Sequence, residues 1–278
     1  MKKLKRLMKK YFRICVIFLL FASFQATSQQ IQTEESLIQV GEELIYDVSF
    51  LTVQLGTIKI VTLPDTSYQG RKVAHSKVFI QSNPGIPFYS LKAVFNSLMD
   101  TTLTEGKYFD ANTKENSDDW GFQKIIFTQK SGSQTENGSI VRVEKWYNKE
   151  KINDTTICSK EKVIDGSTLF FLSRKLIDRK MNLRIPTIMD LSIGDTKFYF
   201  TGKIEKIKIA AVDYPVKVYY FDGKAEWVAL YGLGDKFQGW FSCDAARVPI
   251  YAKMNVYLGS INIELRSWKR RGWFPPKF

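Results

Sequence analysis

The sequence predicts a mainly β protein with a single curved antiparallel sheet, or a partial or closed β-barrel, and one short helix packed against it. From Glu43 to about Arg266, apolar and polar residues alternate with a period of two, which is typical of strands with one buried and one solvated face. Long stretches of helical periodicity are nearly absent. About ten to twelve short strands would share one sheet, and a twisted sheet of that size tends to curl or close.

Residues 1–28 are predicted to be a signal peptide. Seven Lys and Arg residues precede an apolar run at Ile14–Phe24, and Ala26-Thr27-Ser28 resembles a small-residue cleavage site. The run is shorter than the roughly 20 apolar residues that a membrane-spanning helix needs. We therefore expect an exported protein in the periplasm or cell envelope of a Gram-negative bacterium, with no transmembrane segment after cleavage. Cys15 lies too early in the run for lipid attachment.

The composition argues against a nucleic-acid partner. The 278 residues include 41 Lys and Arg and 28 Asp and Glu, a formal net charge of +13. Removal of the seven basic residues of the signal peptide leaves 34 − 28 = +6, with no dense basic run. The sequence predicts a single β-rich domain at residues 29–267 and a basic, aromatic C-terminal arm at residues 268–278, whose prolines prevent a continuing strand.

The first strands follow from alternation and turn residues. Leu44–Phe50 alternates apolar and polar side chains, and Thr57–Val61 and Lys72–Ile80 continue the pattern. Gly56 and Gly70 are expected at turns. The segment at residues 88–103 mixes helix-like spacing with strand-forming residues and is left open. Polar stretches at residues 112–119 and 130–138 are expected to be exposed loops.

The helix and the last strands have the clearest signals. Asp165-Gly166-Ser167 resembles a helix N-terminus, and Leu169, Leu172 and Leu176 then recur at helical spacing, which predicts about three turns ending near Asp178. Alternation predicts strands at residues 140–146 and 216–220. Residues 250–258 and 261–265 are predicted to form a hairpin around a turn at Gly259-Ser260.

Several short motifs, taken in order, resemble an uncharacterised family of exported proteins of Gram-negative bacteria, domain of unknown function 3108. The resemblance implies an all-β, curved or barrel-like envelope protein and no assigned activity. The matching segments are Val40–Val48 with Gly56, Asp100–Leu103, Asp165–Arg174, Trp240–Asp244 with Arg247, Pro249 and Ile250, and finally Gly259 and Leu265.

Metal and nucleophile chemistry finds little support. His75 is the single histidine, so zinc sites built from two or three imidazoles are excluded, and His75 is expected to be a packed or surface residue. No metal or cofactor is predicted. Cys158 and Cys243 could form a disulfide after export, but two buried free thiols are the favoured interpretation.

The segment from Trp240 to Ile250 carries the candidate ligand-binding residues. Trp240 and Arg247 could face a concave surface and hold a ligand, with Asp244 and Arg174 as further candidates. In the alternative, Asp244 and Arg247 fix a turn and Trp240 is a core residue.

Three functional hypotheses remain open. The favoured one is a non-enzymatic binding or carrier module for an apolar or amphiphilic ligand, such as a lipid or glycolipid, or for an envelope protein; it predicts a concave face lined by Phe, Leu, Tyr and Trp. A polysaccharide hydrolase would place two carboxylates across a polar cleft, drawn from Asp100, Asp165, Glu226 and Asp244. A structural envelope assembly factor would show an exposed apolar patch.

Overall fold

Alternating side chains along the chain produce fourteen antiparallel strands in one sheet, with one helix among the described residues. The computed structural model describes residues 37–86, 90–116, 118–129, 138–226, 233–256 and 259–278. The predicted signal peptide lies outside them. The elements are β1 (Glu43–Phe50), β2 (Val53–Tyr68), β3 (Arg71–Ser82), β4 (Leu91–Asp100), β5 (Gly106–Glu115), β6 (Gly121–Gln129), β7 (Ser139–Tyr147), β8 (Glu150–Ser159), α1 (Gly166–Leu176), β9 (Met181–Met189), β10 (Ser192–Ile207), β11 (Val216–Ala225), β12 (Leu233–Ser242), β13 (Pro249–Val256) and β14 (Gly259–Lys269).

The sheet has the strand order β8-β7-β6-β5-β4-β3-β2-β1-β14-β13-β12-β11-β10-β9. Each strand pairs with its neighbours in the chain except at one place, where β1 pairs with β14 from Glu43↔Lys269 to Phe50↔Ile261. The predicted mainly β fold with a single antiparallel sheet is confirmed. The sheet has more strands than expected, and it does not close into a barrel.

The two ends of the sheet come close although β8 and β9 do not pair. Ile164, which follows β8, forms a parallel bridge with Thr187 of β9. Ile188 of β9 packs in a buried cluster with residues of β6 and β7, including Val143. Lys145 of β7 bonds to Asp190, with 2.6 Å between Nζ and Oδ1. The sheet therefore curls back on itself, and side-chain packing joins its ends.

The predicted helix is confirmed as α1, which ends two residues before the expected Asp178. Asp165 is its N-cap, and its carboxylate accepts hydrogen bonds from the backbone N–H groups of Ser167 and Thr168. Leu169 and Leu172 then pack into a buried cluster with phenylalanines of β10–β12. The helix thus covers part of one face of the sheet.

One of the two predicted glycine turns is confirmed and the other is wrong. Gly70 lies between β2 and β3 with a φ of +73°. Gly56 lies inside β2, where a Cβ atom would be 2.3 Å from the carbonyl oxygen of Gln81 on β3. Gly56 is therefore a point of close backbone approach and not a turn.

The remaining element predictions need two adjustments. The open segment at residues 88–103 contains β4, and residues 112–115 belong to β5, so that the loop after them is shorter than expected. Most of the loop expected at residues 130–138 lies outside the described residues.

The last hairpin is confirmed as β13 and β14, with Ala252 opposite Ile263. Its turn is not at Gly259-Ser260, because Gly259 already pairs with Val256. Residues 257–258 lie outside the described residues.

Candidate functional site

An apolar cavity of about 270 Å³ lies between α1 and the sheet. Strands from both sides of the β1–β14 pairing contribute to its wall. None of the described residues that line it carries a charge. The apolar side chains that line it include Leu169 and Phe170 of α1 and Phe198, Phe221, Phe237 and Met254 of the sheet.

A cluster of phenylalanines forms one side of this cavity, and glycines make room for the rings. The Phe198 ring centroid lies 5.5 Å from those of both Phe221 and Phe237. Gly239 is paired with Phe221 and Gly223 with Phe237. A Cβ atom would lie 2.2 Å from the Phe221 ring at Gly239 and 2.1 Å from the Phe237 ring at Gly223. The rings therefore lean over the glycines of the neighbouring strand. This cluster is not predictable from the sequence, because a Gly opposite a Phe is visible only once the register of the strands is known.

Two polar groups at the cavity wall, the hydroxyls of Tyr46 and Ser173, are bonded within the protein. The Tyr46 hydroxyl donates to the carbonyl oxygen of Pro249 at 3.1 Å. Burial raises the pKa of Tyr46, so this side chain stays neutral. The Ser173 hydroxyl donates to the carbonyl oxygen of Phe170 at 2.8 Å. The cavity therefore presents mainly carbon surface, which favours an apolar occupant.

Arg174, a predicted site residue, lies fully buried in an ion-pair network at the C-terminal part of α1. Its Nη1 is 2.7 Å from Glu42 Oε1, and its Nη2 donates to the carbonyl oxygen of Ala246 at 3.0 Å. Arg270 forms a second ion pair with Glu42. Burial alone would raise the pKa of Glu42, but the charges and hydrogen bonds of Arg174 and Arg270 outweigh burial and hold this pKa below 4.5. The network joins the start of β1, α1 and the arm after β14.

Trp240 lies in a row of aromatic residues across β11, β12 and β13. Its ring centroid is 5.3 Å from that of Tyr220 and 5.5 Å from that of Tyr251. Its indole N–H donates to Glu205 Oε2 at 2.8 Å. Trp240 is half-buried and does not line the apolar cavity.

Asp244 and Arg247 are linked in a turn, as the alternative to ligand binding predicts, and the link uses the backbone N–H of Arg247. The Arg247 N–H donates to Asp244 Oδ1 at 3.0 Å, and Asp244 Oδ2 accepts from the Trp273 indole at 2.8 Å. The Arg247 guanidinium reaches α1, bonding to the Lys175 carbonyl oxygen at 2.8 Å and to Asp178 Oδ2 at 2.6 Å. None of the four predicted ligand-binding residues lines the apolar cavity, and their ligand role stays a prediction.

The two cysteines of the described residues are free thiols, and no disulfide joins them. Cys158 is exposed on the edge strand β8, whereas burial was expected, and Cys243 is half-buried after β12.

A second, polar cleft of about 670 Å³ holds two of the chain's carboxylates. Asp100 accepts hydrogen bonds from the N–H groups of Thr104 and Glu105 and thereby shapes the β4–β5 turn. Glu105 bonds to Lys107 at 2.7 Å and to Lys162. Burial alone would raise the pKa of Glu105, but these two lysines hold it below its ordinary value. Both carboxylates therefore have structural partners.

The other carboxylates considered for hydrolysis lie in separate surroundings. Asp165 is buried, caps α1 and accepts from the hydroxyls of Ser97 and Thr168; burial raises its pKa. Glu226 is bonded to Lys197 at 3.0 Å on the surface. Asp244 accepts from the Arg247 N–H and the Trp273 indole, so each of these three carboxylates has structural partners of its own.

His75 has a packed, structural environment, as expected. Its Nε2 is 2.6 Å from Asn96 Oδ1, and Asn96 Nδ2 donates to Asp110 Oδ2 at 2.9 Å. Since an amide oxygen only accepts, His75 Nε2 carries the proton. Within the described ranges, no three His, Cys, Asp or Glu side chains are grouped closely enough to hold a metal ion.

Comparison with solved structures finds three proteins to which this chain is similar. A beta-barrel-like protein of the domain of unknown function DUF1849 from Brucella abortus superposes with a TM-score of 0.56 at 9% identity, over 84% of this chain and 99% of that one. A presumed exported protein with a YmcC-like fold from Bacteroides fragilis has a TM-score of 0.35 at 7% identity, over 84% of this chain and 97% of that one. A presumed lipoprotein from Parabacteroides distasonis has a TM-score of 0.33 at 8% identity, over 83% of this chain and 96% of that one.

No family model and no curated protein matches the sequence. The first of these similarities shows the fold, a barrel-like antiparallel sheet. Among the described residues, no helix is both long and apolar enough to cross a bilayer.

Proposed function

We propose that this chain is a non-enzymatic, exported carrier protein that holds the apolar chain of an amphiphilic ligand in the cavity beside α1. The observation that carries the proposal is the cavity itself, which is lined by phenyl and aliphatic groups and by no charged side chain among the described residues. Apolar contact supplies binding energy of roughly 25 cal/mol for each Å² of ligand surface removed from water. The ligand's polar headgroup would remain outside this cavity.

The size of the cavity narrows the ligand class. Its volume of about 270 Å³ is just below the roughly 300–1,000 Å³ of typical small-molecule sites. This supports a single acyl chain of moderate length as the bound part and argues against a whole two-chain lipid.

Two measurements test the proposal. Native mass spectrometry of the protein purified gently from the envelope should show an excess mass that solvent extraction removes. Decanoic acid added to the extracted protein should then bind and should displace the fluorescent probe 1-anilinonaphthalene-8-sulfonate.

A cavity-filling variant and a matched control locate the site. Ala252→Phe adds a ring where Ala252 lines the cavity between Gly239 and Ile263, and it should abolish decanoate binding. Ala210→Phe makes the same change at an exposed position outside the cavity and should bind normally. Circular dichroism checks that both variants fold. Equal decanoate binding by the two variants, or none by the unchanged protein, would contradict the proposal.

We also propose that the chain is exported by cleavage after Ser28 and is related to domain of unknown function 3108. The basic, apolar and small-residue order of residues 1–28 supports export. N-terminal sequencing of the protein from the envelope fraction should begin at Gln29, and an intact Met1 would contradict this part.

A further inference from the structure

The basic, aromatic arm at residues 268–278 is held firmly against the rest of the protein. Trp273 is buried, and its indole N–H donates to Asp244 Oδ2 at 2.8 Å. The backbone N–H of Lys217, at the start of β11, donates to the carbonyl oxygen of Pro276 at 2.8 Å. The arm is therefore an ordered surface feature: its first two residues end β14, and Lys277 forms an isolated bridge with Val216.

This ordered arm leaves two phenylalanine rings exposed to solvent. Phe274 is 73% exposed and Phe278 is 59% exposed. Val40, 55% exposed, belongs to the same region, because the neighbouring Gln39 accepts a hydrogen bond from the Arg271 N–H at 2.8 Å. These side chains contribute little to the core, so their exposure calls for another explanation.

Basic side chains outnumber acidic ones around the exposed rings, where Glu43 lies 3.8 Å from Lys269 and Asp213 is exposed. Residues 268–278 contain no Asp or Glu. Lys206 reaches the arm from β10, with its Nζ 5.4 Å from the centroid of the Phe278 ring. The exposed basic side chains of this region are Lys206, Lys208, Lys269, Arg271 and Lys277.

We propose that this surface, defined by Phe274, Phe278 and the five basic residues around them, docks the protein onto an anionic lipid membrane. Aromatic rings enter the boundary between headgroups and acyl chains, while Lys and Arg bind anionic headgroups. Because the arm is already fixed, little conformational entropy is lost on docking. The combination of exposed rings with a majority of basic side chains favours an anionic lipid surface over a folded protein partner. The proposal does not depend on the apolar cavity.

Cosedimentation with vesicles tests this inference. The full chain, expressed with its leader and purified from the envelope fraction, is mixed with vesicles of phosphatidylethanolamine and phosphatidylglycerol at 7:3, or of phosphatidylcholine alone. We expect binding to the anionic vesicles, weakened in 1 M NaCl because salt screens exposed charges. Arg271→Gln with Lys277→Gln should weaken binding about fivefold for each charge removed.

The contribution of Phe274 and Phe278 to vesicle binding is compared with that of two exposed apolar residues in a distant part of the sheet. Phe274→Ser with Phe278→Ser should weaken binding about tenfold. Leu51→Ser with Val53→Ser removes two side chains that are 71% and 51% exposed at the β1–β2 turn, and it should leave binding unchanged. The segment before Leu37 is processed in the same way in all variants, so any vesicle binding by it cancels in the comparison. Equal effects of the two double variants, equal binding to both vesicle types, or binding to neither would overturn the proposal.

Discussion

Arg174 is a charged side chain with no solvent exposure, and its stabilisation depends on Glu42 and Ala246. Taking two charges out of water is costly, so an intact buried pair adds modest net stability, whereas removal of one partner exposes the full cost. The first prediction rests on this asymmetry. Arg174→Met should lower the free energy of unfolding by about 3–5 kcal/mol in urea denaturation.

The control for this variant is an arginine with carboxylate partners on the surface. Arg184 is bonded to Glu161 and Asp195, and its side chain is 49% exposed. Arg184→Met should lower stability by less than about 1 kcal/mol, because water and salt screen exposed pairs. Similar losses of unfolding free energy in Arg174→Met and Arg184→Met would show that the buried ion pair is no more important for stability than an exposed one.

Glu42 gives a pH dependence of defined sign. Its pKa is lower in the folded protein than the ordinary 4.5, so the folded state releases this proton more readily than the unfolded state does. The resulting stability is present above pH 4.5 and is lost as the pH falls through the folded-state pKa. The difference in unfolding free energy between the unchanged protein and Glu42→Gln should therefore shrink between pH 6 and pH 3. A constant difference would contradict this assignment.

Local polar contacts were predictable from the sequence, and distant ones were not. Asp165 as an N-cap and the Asp244–Arg247 turn follow from residue types at short spacing. The Arg174–Glu42 pair joins residues 132 positions apart, and no local pattern marks a partner at that distance.

At the scale of elements, the contact between β2 and β3 depends on the missing side chain of Gly56. A Cβ atom there would lie 2.3 Å from Gln81 O and 2.8 Å from Ser82 Cα, both backbone atoms that cannot turn away. Gly56→Ala should cost about 1–3 kcal/mol of stability, as overpacking does. Gly85→Ala, at a turn with no atom within 4 Å of the added Cβ, should change stability by less than about 0.5 kcal/mol. Thermal unfolding of both variants measures the difference.

Elements were predictable where one face is buried and the other wet. The strand around Val218, the last hairpin and α1 all have such patterns. The pattern was ambiguous in β4, because its half-buried residues Val94 and Phe95 break the alternation. Gly56 was misread because a glycine that allows close approach looks the same in sequence as one that makes a turn.

For the whole molecule, the packing of β9 against β6 and β7 replaces the ladder that would close a barrel. Ile188 is 1% exposed at this junction. Ile188→Ala should cost about 2–5 kcal/mol, because it removes apolar contacts and leaves a cavity. Ile152→Ala, the same change at a residue of β8 that is 59% exposed, should change stability by less than about 0.5 kcal/mol. Urea denaturation measures the free energy of unfolding of both variants. Equal losses in Ile188→Ala and Ile152→Ala would show that this junction does not stabilise the fold.

The curvature of the sheet was predictable from the number of strands, whereas the cavity was not. A large twisted sheet must curl, but its register decides which side chains meet inside. Phe198 and Phe237 come from strands separated by β11, and their contact depends on the glycines opposite them. The predicted site therefore centred on the polar segment near Trp240, whereas the apolar cavity is lined by the neighbouring Gly239 and Phe241.

The strand order also has a consequence for how the chain folds. Twelve of the thirteen pairings join consecutive strands, and the β1–β14 pairing alone brings together segments about two hundred residues apart. The hairpins can form early, because they close short loops, while the distant pairing must wait for both halves to take shape. Pulse-labelled hydrogen exchange during refolding should find the amides shared by β1 and β14 protected after those shared by β2 and β3. Simultaneous protection would indicate instead that the two halves fold around this seam.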